Sequence, residues 1–290
     1  MAGDLHCHTT LSDGSLGIEE VIAQAKRVGM EYLAITDYDT LSSANRSKIL
    51  AERYGISVIP AAELSAWDKK RNKNVHILCY APQKPDRLEG LCLKSCQIRK
   101  ESVKEMLAKV MEIYPITEDM VYKYAKSSKS LYKSHIMRAL INYGYATEFY
   151  GSVNDSLFKH PDGKCLVTRE YPDVNFVIDL IHSSKGVAVL AHPYLFDNIE
   201  LMHELIDAGK LDGIEVNHYS ANDEQRAFLT KVCKENDLIM TGGSDFHGLY
   251  NDTVSYIGSN TCDDENIEKL KKLIHINSQK ANKNVPKSDQ

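Results

Sequence analysis

The chain has 290 residues, a formal net charge of −5, 43% hydrophobic residues and 26% charged ones. That balance describes a globular protein long enough for a large core and a small second domain, and its slight acidity argues against duplex DNA held on a broad basic face. Seven cysteines without a Cys-x-x-Cys pair point to reduced thiols. No apolar run approaches membrane-spanning length and the first residues lack a signal-peptide pattern, so the expected location is the cytoplasm, away from any membrane.

The first strand opens at Leu5, within Asp4-Leu5-His6-Cys7-His8. Residues i and i+2 of a strand share a face, so His6 and His8 project together while Cys7 points into packing. Two neutral imidazoles converging on one point begin a divalent metal site, and Asp13 can swing in from the following loop. Ile18, Val21, Ile22, Ala25 and Val28 keep helical spacing, and Gly29 can close that helix. A buried strand is expected over 31–37, a helix over 42–54 and a third strand over 57–66. The charged stretch 67–73 reads as a short connection from which 74–80 returns as a fourth strand. The rhythm of strand, helix, strand belongs to parallel units with right-handed crossovers.

That rhythm breaks over 82–170, where 88–113 predicts one long amphipathic helix and 117–124 and 134–143 shorter ones. Alternation returns with a helix over 172–184, then a strand (186–193), helix (199–208), strand (213–218), helix (222–235) and strand (238–241). Ile267, Leu270 and Ile274 mark one face of a last helix. The expected organisation is a discontinuous barrel domain (1–84 and 171–276), a helical cap insertion (85–170) and a polar, disordered tail (277–290).

About seven strands, nearly all separated by helices, predict an α/β barrel with its chemistry at the carboxyl ends of the strands. That rim collects His6 and His8, then Thr36-Asp37-Tyr38-Asp39, Glu63, His192, Asn217 and His218, and finally Asp245 and His247. A hairpin out of the third strand brings His76 to the same end. Oxygen and imidazole donors without thiolates favour manganese, iron or zinc in a cluster of metals.

His6-Cys7-His8, Asp13-Gly14, Ile35-Thr36-Asp37-Tyr38-Asp39-Thr40, Glu63, His76, Ala191-His192-Pro193 and Gly243-Ser244-Asp245-Phe246-His247 together resemble the PHP (polymerase and histidinol phosphatase) family. The segment from Lys133-Ser134-His135-Ile136 to Gly144-Tyr145 is similar to a family segment as well. The nearest likeness is to stand-alone phosphoesterases: nucleoside bisphosphate phosphatases and exonucleases acting on RNA 5′ ends. The resemblance implies a distorted seven-stranded barrel and two or three divalent metal ions. By position, His6, His8, Glu63 and Asp245 would hold the first ion. Glu63 would bridge to another held by His76 and His192, and Asp13 and His247 would hold the second. The family usually has His where this chain has Tyr38, and a neutral phenol is a poor ligand for Mn²⁺ or Zn²⁺. Tyr38 is therefore either a metal or substrate contact of another kind or a lost ligand. The family also usually has Arg where Lys133 stands, which turns a bidentate grip into a point charge.

Two metals sharing a carboxylate can share a water, and the resulting hydroxide would attack phosphorus, with Asp13, Glu63 and His247 as candidate catalytic residues. Lys133, His135, Arg138, Arg169 and His218 are candidates for gripping the phosphate. The function expected is hydrolysis of a phosphomonoester of a nucleotide or short oligonucleotide, with a small phosphorylated molecule or short RNA as partner. Two alternatives stand beside it: a degenerate PHP module that binds a nucleotide or partner without turnover, and a histidinol-phosphate phosphatase.

Overall fold

The computed structural model describes residues 2–250 and 255–283. Among them, one sheet carries β1 (Gly3–Cys7), β2 (Tyr32–Ile35), β3 (Ser57–Asp68), β4 (Lys73–Tyr80), β5 (Val187–Leu190), β6 (Gly213–Asn217) and β7 (Ile239–Gly242), neighbouring one another in chain order. Helices α1 (Ile18–Arg27) and α2 (Ala44–Tyr54) lie between the first three strands. The insertion after β4 holds α3 (Asp86–Met111), α4 (Glu118–Tyr122), α5 (Lys133–Asn142) and α6 (Ser152–Phe158). The second half adds α7 (Val174–Ser183), α8 (Ile199–Asp207), α9 (Asp223–Glu235) and α10 (Asp264–Lys283).

β1, β2 and β3 run parallel, as do β5, β6 and β7, whereas β4 is antiparallel to both of its neighbours. The reversal follows from the short connection between β3 and β4, because only a hairpin can be closed by so few residues. It sets Ser65 opposite His76 and so carries His76 to the rim where the parallel strands end. At the ends of the sheet Cys7 bridges Phe246, and the His8 amide donates to the Phe246 carbonyl at 2.8 Å. The sheet thereby curls into a nearly closed barrel of seven strands.

Alternation along the strands sorts side chains to two sides. On β2, Ala34 joins Leu5, Leu78, Tyr80, Val189 and Ile239 in a cluster sealed by Ile267 and Leu270 of α10. Its neighbours Leu33 and Ile35 pack instead against Val21, Ile22 and Ala25 of α1. The cap has its own core, in which Val103, Met106, Leu107 and Val110 of α3 meet Ile136, Leu140, Leu157 and Phe158.

Two helices bear on the expected organisation. The cap border at 85 falls at the start of a helix that serves both bodies, for Leu88 and Leu91 of α3 pack in the barrel cluster while its later turns pack in the cap. The tail expected from 277 is helical as far as Lys283, with 284–290 outside the described residues. Polar composition hid this: Ala281 is buried, and the Asn277 amide reaches the Gly186 carbonyl at 3.5 Å, so a few contacts carry the helix onward. No helix among the described residues is long and apolar enough to cross a membrane.

A chain ended at Ile276 should lose about 1 kcal/mol of stability, from one buried methyl and the last helical hydrogen bonds. Urea denaturation reads this out as a lower midpoint; a midpoint equal to that of the full chain would return 277–283 to a disordered tail.

Candidate metal centre

Glu63 lies on β3 with no solvent exposure, and four imidazoles surround its carboxylate. His6 Nε2 and His8 Nε2 each stand 3.1 Å from Oε2; His76 Nδ1 stands 2.7 Å and His192 Nε2 2.9 Å from Oε1. Asp245 Oδ1 lies 3.4 Å from His6 Nε2 and 3.3 Å from His8 Nε2. Beside them, Asp13 Oδ1 is 3.2 Å from His247 Nε2 and 4.0 Å from His8 Nδ1. Three donor groups result: His6, His8, Glu63 and Asp245; His8, Asp13 and His247; Glu63, His76 and His192. Glu63 belongs to two of them and so does His8, which makes the three one continuous cluster.

The backbone around the cluster is built to bring these groups together. A Cβ on Gly243 would meet His6 Cβ at 2.3 Å and His6 N at 2.4 Å, so only glycine lets the end of β7 approach β1 this closely. Gly14 is confined in the same way, its hypothetical Cβ falling 2.6 Å from the His8 carbonyl oxygen. Asp4 accepts from the Ser244 and Gly258 amides at 2.9 and 2.8 Å, and Asp37 accepts from Thr9 N, Thr9 Oγ1 and Ser12 Oγ, each at 2.7 Å. Asp37 is therefore a brace for the β1–α1 loop. Positive φ angles at Asp39 (52°), His192 (23°) and Asp245 (50°) place non-glycine residues in the left-handed region around this rim. Such strain persists only where the surroundings hold it.

Electrostatics shows what the cluster demands. Burial opposes ionisation of Glu63 and Asp245, yet the facing imidazoles hold both carboxyls well below their usual range. Burial likewise opposes a charge on His247, but Asp13 and Asp245 raise it to about 10. His6 is pushed well above its usual value against burial by Glu215, Glu63 and Asp245. These directions agree that the cluster calls for positive charge. Tautomers say the same. His6 Nδ1–H donates to Glu215 Oε1 at 2.9 Å, which leaves the lone pair of neutral His6 Nε2 facing two carboxylates. His247 Nδ1–H donates to the Asp245 carbonyl at 2.8 Å, so in the neutral ring the lone pair of Nε2 faces Asp13. A cation between lone pair and carboxylate resolves both conflicts. His8 Nε2, His76 Nδ1, Asp13 Oδ1 and Asp245 Oδ1 are buried without hydrogen-bond partners, as waiting ligand atoms would be. The donor set fits divalent metal ions.

The remaining expected residues fall into two groups. Tyr38 lies over the cluster, its ring centroid 4.5 Å from that of His8 and 5.2 Å from that of His76. Burial, then Glu63, Asp245 and Asp13, push its phenol well above the ordinary value, so it stays protonated. His218 accepts the Ser220 amide on Nδ1 at 3.2 Å, which fixes the neutral ring as Nε2–H, 3.4 Å from Asp245 Oδ2. His135 is fixed alike by the Tyr132 amide at 3.2 Å, and burial lowers it to about 4. Lys133, exposed on the first turn of α5, lies within electrostatic reach of Asp13. Arg138 lies over the Tyr124 ring at 5.9 Å, toward Tyr250. Arg169 is not brought to the rim; it pairs with Glu105 of α3 at 2.9 Å on the exposed side of the cap.

Two residues escaped the sequence reading. Glu215 of β6 holds His6 Nδ1 with one oxygen and the His192 amide with the other, each at 2.9 Å. Arg99 of α3 donates to Asp39 Oδ2 at 2.7 Å and lies 4.8 Å from the Tyr38 ring. A carboxylate in mid-strand was a signal for the first, since an unpaired one is rarely buried; helical periodicity offered none for the second.

The sequence profile of the PHP domain matches residues 4–217. The chain belongs to the PHP domain family. A phosphoribosyl 1,2-cyclic phosphate 1,2-diphosphodiesterase of Eggerthella lenta is 34% identical over 252 residues, spanning 86% of this chain and 95% of the relative. A 5′-3′ exoribonuclease of Haemophilus influenzae is 28% identical over 252 residues (84% and 89%). A 3′,5′-nucleoside bisphosphate phosphatase of Chromobacterium violaceum is 28% identical over 254 residues (84% and 86%). A candidate metal-dependent phosphoesterase of Bifidobacterium adolescentis superposes with a TM-score of 0.85 at 27% identity, over 93% of this chain and 96% of that one. This protein is a metal-dependent phosphoesterase of the PHP family, a phosphoric ester hydrolase.

Glu215→Gln keeps the size of the side chain but offers His6 a weaker partner, and metal affinity should fall about 10- to 100-fold. Gly243→Ala should force β1 and β7 apart and lose bound metal in a protein that still gives a folded circular dichroism spectrum. Equilibrium dialysis with metal analysis measures both, and wild-type affinity in either variant contradicts the geometry given for it.

Proposed function

We propose that this chain hydrolyses a phosphoester on a small phosphorylated ribose compound, a nucleotide or the end of a short RNA. The observation that carries the reading is the sharing of Glu63 and His8 among three adjoining donor groups, which suits two or three divalent ions, manganese, iron or zinc, side by side. His6, His8, Glu63 and Asp245 would hold one ion, Asp13 and His247 another, and His76, His192 and Glu63 a third. Such ions supply an acidified water as nucleophile and positive charge for the non-bridging phosphoryl oxygens.

The chain's own groups do the rest. Glu63 and Asp245 supply the negative charge that holds the cations together, and Glu215 orients His6. His218 presents Nε2–H beside Asp245 and can donate to a phosphoryl or departing alkoxide oxygen, because Ser220 occupies its other nitrogen. Lys133 lends charge from the cap side without a bidentate grip. The likeness to relatives named for a cyclic ribose phosphate, a bisphosphorylated nucleoside and RNA supports a ribose-borne phosphoester.

A phosphate-release screen with full metal analysis tests this. The panel holds adenosine 3′,5′-bisphosphate, phosphoribosyl 1,2-cyclic phosphate followed by a phosphatase, 5′-phosphorylated short RNA, mononucleotides and histidinol phosphate. Turnover of a ribose phosphoester, abolished in Glu63→Ala together with more than one ion per chain, is the expected outcome. Activity on histidinol phosphate alone moves the protein to the amino-alcohol reading, and binding without any turnover moves it to a degenerate module.

Tyr38→His offers a nitrogen donor that binds metal without first losing a proton near pH 7. It should raise metal occupancy at limiting metal by about tenfold in affinity, equivalent to about 1.4 kcal/mol. Loss of metal or activity in Tyr38→Phe, with no gain in Tyr38→His, would instead make the phenol a working contact.

A further inference from the structure

The loop between β1 and α1, which carries Asp13, is held from two sides. On the barrel side Asp37 accepts from Thr9 N, Thr9 Oγ1 and Ser12 Oγ, and the Ser12 and Gly14 amides turn back onto the Thr9 carbonyl at 3.0 and 2.9 Å. On the other side the loop meets the cap, in the segment between α4 and α5. There the Lys129 amide donates to the Leu11 carbonyl at 2.8 Å, and Ser128 Oγ donates to the Ser12 carbonyl at 2.6 Å. Ser128 Oγ in turn accepts the Ser130 amide at 3.4 Å, and Ser130 Oγ donates to the Cys96 carbonyl of α3 at 2.9 Å. A continuous line of hydrogen bonds therefore runs from α3 through Ser130 and Ser128 to the residue before Asp13.

These contacts fall where they have leverage. The Ser12 carbonyl and the Asp13 amide belong to one planar peptide group, so a hydrogen bond to that carbonyl fixes the plane from which the Asp13 side chain departs. The residue after it is fixed independently, because Gly14 packs on the His8 carbonyl with no room for a Cβ. Asp13 is thus clamped before and after, with its Oδ1 held 3.2 Å from His247 Nε2. The candidate ligands His6, His8, Glu63, His76, His192 and Asp245 lie on barrel strands or close after them. Asp13 differs from them in hanging from a loop that the cap completes. A ligand atom binds tightly only when the groups behind it hold its position, and outer partners of this kind tune metal affinity.

We infer that Ser128 is a positioning residue, which together with Lys129 and Ser130 straps the Asp13 loop to the cap and sets how tightly the ion of Asp13 and His247 is held. The inference rests on the ligand assignment given above. It makes the cap a working part of the metal centre, through backbone carbonyls of the barrel loop and not through any ligand of its own.

Equilibrium dialysis of Mn²⁺ against the chelator-treated full chain tests the strap, with circular dichroism and the metal-free urea midpoint as controls for folding. Asp13→Ala first identifies the ion concerned, as the one whose loss it causes. Ser128→Ala should weaken that ion about 3- to 10-fold, the range of one lost hydrogen bond, and leave the remaining ions within about twofold of wild type. Ser130→Ala, which frees the strap from α3, should weaken the same ion by a smaller factor. Ser128→Thr keeps the hydroxyl and should restore binding. Added to Asp13→Ala, Ser128→Ala should leave the remaining ions unchanged, because its effect passes through Asp13. Should Ser128→Ala fail to fold, Ser130→Ala carries the same test from the other end of the strap. Equal weakening of every ion, or wild-type binding in the folded serine variants, overturns the strap and leaves the ligands in place. A wild-type ion count in Asp13→Ala overturns the ligand assignment itself, and the strap falls with it.

Discussion

The constraint that orders this protein is the burial of one carboxylate. Glu63 has no solvent exposure, and a bare carboxylate so placed costs several kcal/mol, so its neighbours must supply positive charge or bound cations. The four imidazoles that do so come from β1, the residues just after it, β4 and the end of β5. A single charge thus dictates where several strand ends must meet. The reversed direction of β4 serves the same end, since a parallel β4 would carry His76 to the opposite mouth of the barrel.

A second layer of carboxylates shows how environment separates chemically identical groups. Asp4 and Asp37 are as buried as Glu63, but they face amides and hydroxyls, and burial raises both above the ordinary carboxyl value. Glu215 faces His6 and lies below that value despite burial. Acids that meet imidazoles keep their charge and serve the metals. Those that meet neutral donors act as ties between β1, β7 and the loops.

Much of this was legible in the sequence because short-range rules governed it. His6 and His8 share a face by strand alternation, and the short charged connection before Asn74 required a hairpin that returned His76 to the rim. The barrel and its strand count followed from the spacing of apolar runs. What stayed hidden depended on long-range pairing. Glu215 reads as an interior strand residue until His6, 209 positions away, is set against it. Arg99 looks like any solvated residue of an amphipathic helix, and only the fold places Tyr38, Tyr132 and Tyr171 around it. Arg169 shows the opposite case: its charge suits a phosphate, and the fold sets it 2.9 Å from Glu105 on the exposed side of α3. The end of α10 was missed because polar residues hid a helix held by few contacts.

The 26-residue helix α3 has a mechanical consequence. At 1.5 Å per residue it is a strut about 39 Å long, unbroken by proline, with one end in the barrel core and the other in the cap core. A rigid rod anchored at both ends cannot act as a hinge, so the cap cannot swing away from the barrel as one body on this side. Arg99 lies midway along that strut and keeps its distance from Asp39 however the outer cap moves. α4, α5 and α6 contribute no side chain to that barrel cluster, so any displacement within the insertion falls on them before it reaches the spine.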